Sequence, residues 1–404
     1  MKYGSKELSF TLPIQCDEIR HTEPAGTVDS EKFKSDLQAS IREFRRPLKS
    51  IGISVSDKTR LCQFPIFLPL ITEVFLELGL QKEDITFFIA YGTHPAQSEE
   101  ECLKAYGEIY REYRFVHHNA RDEDALETLG TTSRGTTVKI NREILQKDLV
   151  VTFGAILHHY FAGFGGGRKL LFPGLAGYEA ILHNHSLFLD FKNKRLDPGC
   201  QSGHLEGNPL ALDLEEINAL LPPKLEIHGI LNSRKEVCEI HFGTNYGQFK
   251  EACLRYDHYF RTPGDKLYDL VVASAGGYPK DINFIQAHKS IHNAASFVKD
   301  GGSLVILAEC IDGIGNKAFM DLFKLGGSEG IFREMAIAYK NNAGTALATI
   351  EKARRISIRF VTSLDEETCS MMGCVLTPAE EAIRIAEHST GEVAWIGNAS
   401  LLYR

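Results

Sequence analysis

The sequence lacks the features that mark disulfide-rich, zinc-ribbon and membrane-spanning proteins. Its nine cysteines are spread along 404 residues, and none belongs to a CxxC pair. This pattern predicts reduced thiols, as in a cytoplasmic protein, and neither a disulfide framework nor a zinc ribbon. No apolar run reaches the length that spans a bilayer, and the N-terminus MKYGSKELSF has no apolar signal-peptide core. We therefore expect a cytoplasmic protein with no membrane partner.

Several common catalytic signatures are also absent. There is no GxSxG elbow for a serine hydrolase and no HExxH motif for a zinc hydrolase. The glycine-rich stretch that ends in GRKL lacks the hydroxyl residue and the spacing of a Walker loop, and it fails the GxGxxG pattern. These absences argue against serine or zinc hydrolysis and leave little support for an ATPase.

Size and charge narrow the class of protein further. The formal net charge is -8, so the chain lacks the basic surface that nucleic acid requires, and we expect no nucleic-acid partner. A chain of 404 residues exceeds the usual size of a single core. Pro263 and Gly264 interrupt the pattern of predicted elements. We therefore predict a first domain over 1–262 and a second over 263–404, with the last residues able to return to the first.

The chain does contain an alternation of buried strands and helices. The stretches SIGISVSDKTR, DITFFIAYGTHPAQ and KDLVVTFGAILHH read as strands, and helical patterns follow them. This alternation predicts an α/β fold of two domains with mainly parallel sheets. Ligands in such sheets bind beyond the carboxyl ends of the strands. Each predicted strand ends in reactive groups: Asp57 with Arg60, then His94, then His158 with His159.

Many of the candidate functional residues lie in one stretch of the chain. Residues 158–185, HHYFAGFGGGRKLLFPGLAGYEAILHNH, contain four histidines around a glycine loop that carries Arg168 and Lys169. If 176–190 is a helix, His185 shares its apolar face and His183 does not. Histidine is a metal ligand and a proton carrier near neutral pH, and lysine can act as a nucleophile. A hydrogen-bonded core histidine is an equally good interpretation of His185.

A second polar face follows in the C-terminal third. A helix that begins near Asn283 would place Gln286 and Lys289 on one face in its early turns. Amide donors and the helix dipole favour anions there, so these residues are candidates to hold a carboxylate or a phosphate. An ordinary exposed polar face is an equally good interpretation.

These residues, in this order, resemble the nickel-dependent lactate racemase family, which comprises racemases and epimerases of 2-hydroxy acids. The resemblance runs from SDKTR through YGTHPAQ, HHYFAGFGGGRKLLFPG and HNHSLF to GGYPKDINFIQAHK. It implies a nickel-pincer nucleotide, a pyridinium mononucleotide with two sulfur-containing arms. It also implies cofactor-synthesis proteins as partners and an active site in the cleft between the domains.

The resemblance assigns roles to individual residues. Lys169 would tether the nucleotide through a thioamide, and His185 would complete nickel coordination. His94 and His159 would be the paired acid–base groups, since either enantiomer must lose its hydroxyl proton, while the hydride from the substrate carbon passes to the cofactor and returns. The ten-residue step to Lys169 selects His159 over His158. The implied cofactor contacts are Asp57, Thr59, Arg60, Gly166, Gly167 and Arg168, and Gln286 and Lys289 would bind the substrate carboxylate.

Two departures from the family pattern leave the substrate open. Ile285 stands where lactate racemases typically have tyrosine, and Gly165 where many relatives carry serine. Malate, aliphatic, aryl and sugar acids are therefore candidates beside lactate. Two other functions are considered: a metal-dependent lyase or dehydratase of hydroxy acids, and a non-catalytic nucleotide- or metabolite-binding protein of the same fold. The sequence does not set the oligomeric state.

Overall fold

A computed structural model of the protein describes residues 1–13, 15–262, 264–316, 318–340 and 342–404. Pro263, the first residue of the predicted second domain, lies outside the described residues. In the described part of the chain, no helix is both long and apolar enough to cross a membrane.

The elements alternate along the chain. The strands are β1 (Lys2–Tyr3), β2 (Lys6–Glu7), β3 (Cys16–Glu18), β4 (Ile51–Ser56), β5 (Ile85–Ala90), β6 (Arg114–His117), β7 (Leu126–Thr131), β8 (Thr137–Asn141), β9 (Leu149–Ala155), β10 (His158–His159), β11 (Gly163–Phe164), β12 (Leu189–Asp190), β13 (Arg195–Leu196), β14 (Lys224–Leu231), β15 (Val237–Gly243), β16 (Tyr268–Ser274), β17 (Val298–Leu307), β18 (Ser357–Val361), β19 (Cys374–Leu376) and β20 (Val393–Ile396).

The helices are α1 (Ser30–Ile41), α2 (Phe64–Glu77), α3 (Glu99–Tyr106), α4 (Ile109–Glu112), α5 (Arg142–Leu145), α6 (Tyr178–Ser186), α7 (Pro209–Leu220), α8 (Tyr246–Phe260), α9 (Phe284–Ala295), α10 (Phe319–Phe323), α11 (Ser328–Ile337), α12 (Ala343–Arg355), α13 (Glu366–Met371) and α14 (Ala379–Glu387). Short 3₁₀ helices cover Lys58–Arg60, Lys82–Asp84, Glu123–Ala125 and Gly167–Leu170.

The chain forms two compact units. The N-terminal unit comprises Glu23–Leu187 and Pro198–Tyr259. Its sheet has the order β15-β14-β9-β4-β5-β6, and every pair is parallel except β14 with β15. Every residue of β4 and β9 is buried, as expected for parallel strands covered on both faces.

The carboxyl ends of three neighbouring strands lie at the same end of this sheet. β4 lies between β5 and β9, and Ser56 pairs with Ala90 while Val55 pairs with Phe153. All three strands run in the same direction, so the loops that follow them leave the sheet on the same side. The predicted parallel α/β architecture is therefore confirmed.

The C-terminal unit comprises the described residues of Met1–Thr22, Phe188–Asp197 and Phe260–Arg404. Its sheet, β19-β18-β17-β16-β20-β3, is parallel throughout. β3 forms one edge, where Cys16 pairs with Val393. The Gly4 N–H also donates to the Asp281 carboxylate at 2.7 Å.

The units differ from the predicted domains at two segments. Met1–Thr22 was predicted in the first domain but joins the C-terminal unit, because β3 pairs with β20. Phe188–Asp197 joins the same unit, and the Leu196 N–H donates to Glu351 at 3.1 Å. The last strand, β20, pairs with β16 and does not return to the N-terminal unit.

Two predicted element boundaries also change. The strand predicted to end in the histidine pair stops at Ala155, and His158 and His159 form β10, which pairs antiparallel with β11. The reversal between them ends at Gly163, whose φ of 75° favours glycine. The helix predicted over 176–190 is α6, which is shorter at both ends.

Candidate active site

Asp57 and His94 form the best-defined pair beyond the carboxyl ends of these strands. Asp57 follows β4, is 3% exposed and begins the 3₁₀ turn over Lys58–Arg60. Its Oδ1 accepts the Thr59 N–H at 3.0 Å and the Thr59 hydroxyl at 2.6 Å. Its Oδ2 lies 2.6 Å from Nδ1 of His94, which comes from the loop after β5. Three of the predicted site residues therefore meet in one place.

The charge on Asp57 decides how His94 is protonated. Burial raises the pKa of this carboxyl, but hydrogen bonds from His94 and Thr59 and the charge of Arg60 outweigh burial, so its pKa falls below the ordinary value. An ionised carboxylate can only accept, so Nδ1 of His94 carries the donated proton. Nε2 is then the nitrogen that can accept a proton. His94 is thus arranged as a general base with a carboxylate that fixes its tautomer.

The glycine loop packs closely against the end of β9. Gly166 and Gly167 have φ values of 76° and 48°. A Cβ on Gly166 would lie 2.4 Å from the carbonyl oxygen of Ala155, and one on Gly167 would lie 2.7 Å from the ring of Phe249. Only glycine fits these positions, so the loop holds Lys169 at a fixed place beyond the strand.

Lys169 is partly buried in the 3₁₀ turn Gly167–Leu170. Its pKa is lowered well below the ordinary value, chiefly by burial and further by the positive charges of Arg60 and Arg168. Since the free amine is the nucleophilic form, these surroundings suit a lysine that forms a covalent bond. Its backbone N–H donates to the Gly166 carbonyl at 3.0 Å, which closes the turn.

Arg168 is packed in the interior of the unit. It is 1% exposed, and its guanidinium lies 4.5 Å from the ring centre of Phe249 and 5.6 Å from that of Tyr246. None of its guanidinium nitrogens has a hydrogen-bond partner among the described residues. Cation–π contact with the two rings therefore holds the glycine loop against α8. The predicted contact of Arg168 with a cofactor stays a prediction.

His185 lies on α6 in the arrangement of a metal ligand. Its Nδ1 donates to the Ile181 carbonyl at 2.7 Å, so Nε2 is the nitrogen that could coordinate a metal ion. Burial first, and then the charge of Lys169, lower its pKa to about 4, so the ring is neutral near pH 7. His183, on the exposed side of the helix, instead bonds the Arg134 carbonyl at 2.9 Å. The helical projection placed both correctly.

A buried carboxylate that sequence reasoning missed fixes α6. Asp213 on α7 is 0% exposed. It accepts hydrogen bonds from the hydroxyls of Thr132 and Thr136, at 2.6 and 2.7 Å, and from the amide of Asn184, at 2.8 Å. Asn184 directly precedes His185, so Asp213 sets the position of the helical turn that carries the candidate metal ligand.

We predict that Asp213→Ala destabilises the protein by about 2–4 kcal/mol, because it leaves three donors without their acceptor in the interior. Urea unfolding of the whole chain measures this change in the free energy of unfolding. Glu112→Ala, at an exposed ion pair with Lys82, is the matched control and should change stability by less than about 0.5 kcal/mol. Equal stability of the two variants would show that Asp213 does not fix this region.

His159 has a different protonation from His94. Its Nδ1 accepts backbone N–H groups from Phe161 at 3.3 Å and Ala162 at 3.1 Å. A neutral ring with an accepting Nδ1 carries its proton on Nε2. The neighbouring His158 is held by Asp257, with Nε2 and Oδ1 2.8 Å apart. His159 is thus arranged to donate a hydrogen bond from Nε2.

The predicted carboxylate-binding residues lie in the C-terminal unit. Asn283 is the N-cap of α9, and its side chain accepts the Gln286 N–H at 3.1 Å. Gln286 and Lys289 are exposed on one face, and the Lys289 ammonium lies 2.9 Å from the Gln286 amide oxygen. This confirms the predicted helix and the shared face. The other predicted site residues lie in the N-terminal unit.

Fold and site together define a two-unit α/β protein. Its N-terminal unit holds a carboxylate-paired histidine after a parallel strand, a lysine of lowered pKa, and a histidine on α6 whose Nδ1 bonds a backbone carbonyl. Residues 3–197 match the lactate racemase N-terminal domain, and residues 265–396 match the lactate racemase C-terminal domain. The chain belongs to the lactate racemase family.

Individual relatives agree with this assignment. The lactate racemase of Thermoanaerobacterium thermosaccharolyticum is 30% identical over 334 residues, which cover 80% of this chain and 76% of that protein. The lactate racemase of Lactiplantibacillus plantarum is 30% identical over 282 residues, or 69% and 64% of the two chains.

Solved structures resemble the whole chain. The lactate racemase apoprotein of T. thermosaccharolyticum superposes with a TM-score of 0.87 at 25% identity and covers 99% of this chain and 98% of its own. A Thermotoga maritima protein gives 0.70 at 17% identity, with coverages of 95% and 99%, and shares the fold.

Proposed function

We propose that the protein is a racemase or epimerase of a 2-hydroxy carboxylic acid and that it uses a nickel-pincer nucleotide tethered to Lys169. The observation that carries this proposal is the pairing of His94 with ionised Asp57. This pair lies at the same end of the sheet as Lys169, whose pKa is lowered. Membership of the lactate racemase family supports it, as do two relatives named lactate racemase.

The residues fit the proposed cofactor. A nucleophilic amine is needed for the covalent link, and Lys169 has the lowered pKa that favours it. Nickel accepts neutral imidazole, which His185 offers at Nε2. No group of three or more His, Cys, Asp or Glu side chains suited to a metal ion occurs among the described residues. His185 is the proposed nickel ligand because its ring is neutral and its Nδ1 is bonded to a backbone carbonyl.

The protein's own groups would handle the substrate proton and the substrate carboxylate. His94 takes the hydroxyl proton at Nε2, while its Nδ1–H continues to donate to the ionised carboxylate of Asp57, whose charge stabilises the imidazolium. The bound nucleotide would supply the acceptor for the hydride that leaves C2. Gln286 and Lys289 would bind the carboxylate, because an amide and an ammonium on one helix face match its oxygens.

His159 is proposed as the second acid–base group. In the arrangement described, its neutral ring donates from Nε2, whereas His94 accepts at Nε2. The two histidines therefore begin in complementary states, one as hydrogen-bond donor and one as base. To take a proton itself, His159 must first release the N–H groups of Phe161 and Ala162.

The substrate class is tested with protein produced together with cofactor-synthesis proteins. Single enantiomers of lactate, malate, and longer aliphatic, aryl and sugar hydroxy acids are incubated with it and separated by chiral chromatography. We expect at least one acid to yield its mirror image or its C2 epimer. Loss of the hydroxy acid would instead indicate a lyase or dehydratase. Loaded protein that leaves the whole series unchanged would contradict the proposal.

A further inference from the structure

Gln97 connects the two loops that carry Asp57 and His94. It lies three residues after His94, in the loop that follows β5, and is 7% exposed. Its side-chain Oε1 accepts the backbone N–H of Lys58 at 2.8 Å. Lys58 directly follows Asp57 and is the first residue of the 3₁₀ turn. A single buried side-chain amide thus connects the residue after Asp57 to the loop that carries His94.

Gln97 is itself fixed from a second direction. Its backbone N–H donates to the hydroxyl of Tyr91 at 3.1 Å, and that hydroxyl lies 2.9 Å from Nδ1 of His117. The hydroxyl of buried Tyr106 donates to the Ser56 carbonyl at 3.0 Å and lies 3.3 Å from Gln97 Oε1. The ends of β4 and β5 are therefore tied together through Gln97, and its side chain has little freedom to move.

The orientation of the Asp57 carboxylate depends on this turn. One oxygen is occupied by Thr59, within the turn, so only the other oxygen is available to His94. Rotation of the turn would move that oxygen away from Nδ1. Holding the Lys58 N–H therefore holds the direction in which Asp57 presents its second oxygen.

We propose that Gln97 is a positioning residue for His94: by binding the Lys58 N–H it aligns Asp57 with Nδ1 and so fixes the tautomer of the base. The consequence for turnover rests on the proposed racemase function. The geometric part does not, because it concerns one hydrogen bond of the protein alone.

Two substitutions remove this contact from opposite sides. Gln97→Met deletes the acceptor at similar volume. Lys58→Pro deletes the donor, and proline suits the first position of the turn because Asp57, before it, is extended with φ -69° and ψ 178°. Gln97→Glu keeps an oxygen in place and should restore function. Lys58→Ala loses only the side-chain ion pair with Glu101 and serves as the control for the proline.

The first measurement is ¹⁵N NMR of the cofactor-free protein with labelled histidine, with the His94 signal assigned from its absence in His94→Gln. We expect the Nδ1–H form in the parent protein, Lys58→Ala and Gln97→Glu, and a mixture of the two tautomers in Gln97→Met and Lys58→Pro. The melting temperature of each variant reports whether it folds. If either Gln97→Met or Lys58→Pro fails to fold, the other still tests the contact.

The second measurement is the kinetics of loaded enzyme. In Gln97→Met and Lys58→Pro, kcat should fall roughly ten- to a hundredfold, with KM little changed, because the base is misplaced rather than removed. The double variant should be no worse than either single one, since both delete the same contact. An unchanged His94 spectrum in both folded variants would overturn the proposal, even if the protein proves to be a racemase. An inactive parent enzyme would contradict the proposed function and leave the NMR result decisive for Gln97.

Discussion

Lys169→Ala protein, made together with cofactor-synthesis proteins, should carry no covalent adduct and show no racemase activity above background. The reason is that Lys169 is the proposed attachment point and its lowered pKa favours the reactive amine. Intact-mass spectrometry should show the added mass of the nucleotide on the parent protein and its loss from the variant. This is the largest effect that we expect from a single substitution.

Two controls make that result specific to Lys169. Lys169→Arg keeps a positive charge but offers no amine of lowered pKa, so it too should lack the adduct. Lys139→Ala removes an exposed lysine that pairs with Glu123 and should keep both adduct and activity. An adduct that persists in Lys169→Ala would place the attachment elsewhere and would reject the tether.

Asp57→Asn should lower kcat by about 10²–10⁴-fold while the protein stays folded. An amide no longer fixes the Nδ1–H tautomer of His94, and the loss of an equivalent carboxylate beside a catalytic histidine has a cost of this order in the Ser-His-Asp example. His94→Ala should abolish interconversion, as should His159→Ala. Initial rates from each enantiomer, followed by chiral chromatography, measure these effects.

The pH dependence of the pair has a definite sign. The pKa of Asp57 lies below its ordinary value of 3.8, so the carboxylate stays ionised until the pH falls below that value. The stabilisation from its bonds to His94 and Thr59 is therefore present above the ordinary pKa and is lost as the pH falls through the lowered one. A change of kcat with pH near neutrality would therefore arise from another group, and it should persist in Asp57→Asn.

Asp36→Asn is the matched control for Asp57→Asn, because the Asp36 side chain is 45% exposed and pairs with Lys32 on its own helix. It should leave kcat and the pH profile unchanged. Full activity in His94→Ala or in His159→Ala would reject the paired acid–base assignment.

Much of the fold follows from local sequence patterns. The buried strands β4, β5 and β9 are six or seven residues long and are bounded by polar loops. They are mainly apolar apart from Ser54, Ser56, Thr86 and Thr152, so their existence and parallel direction could be predicted. The 3.6-residue period placed His185 toward the interior and His183 toward solvent. The same period placed Gln286 and Lys289 on one face of α9.

Short elements and long-range contacts gave no such signal. β3 has only three residues, so no periodicity could indicate that it completes the sheet of the C-terminal unit. Gln97 contacts Lys58 across 39 positions, and Asp213 contacts Thr132 across 81. Polar pairs this far apart leave no local pattern, and only the folded chain shows that they support the candidate site.

The fate of the hydrogen on C2 tests the central claim most directly. Loaded enzyme is given one enantiomer of its substrate, deuterated at C2, in ordinary water, and the opposite enantiomer is isolated and analysed by mass spectrometry. Hydride transfer and return predict that the product keeps its deuterium at C2. Replacement of that deuterium by hydrogen from water would show that C2 loses a proton instead, and it would contradict the account.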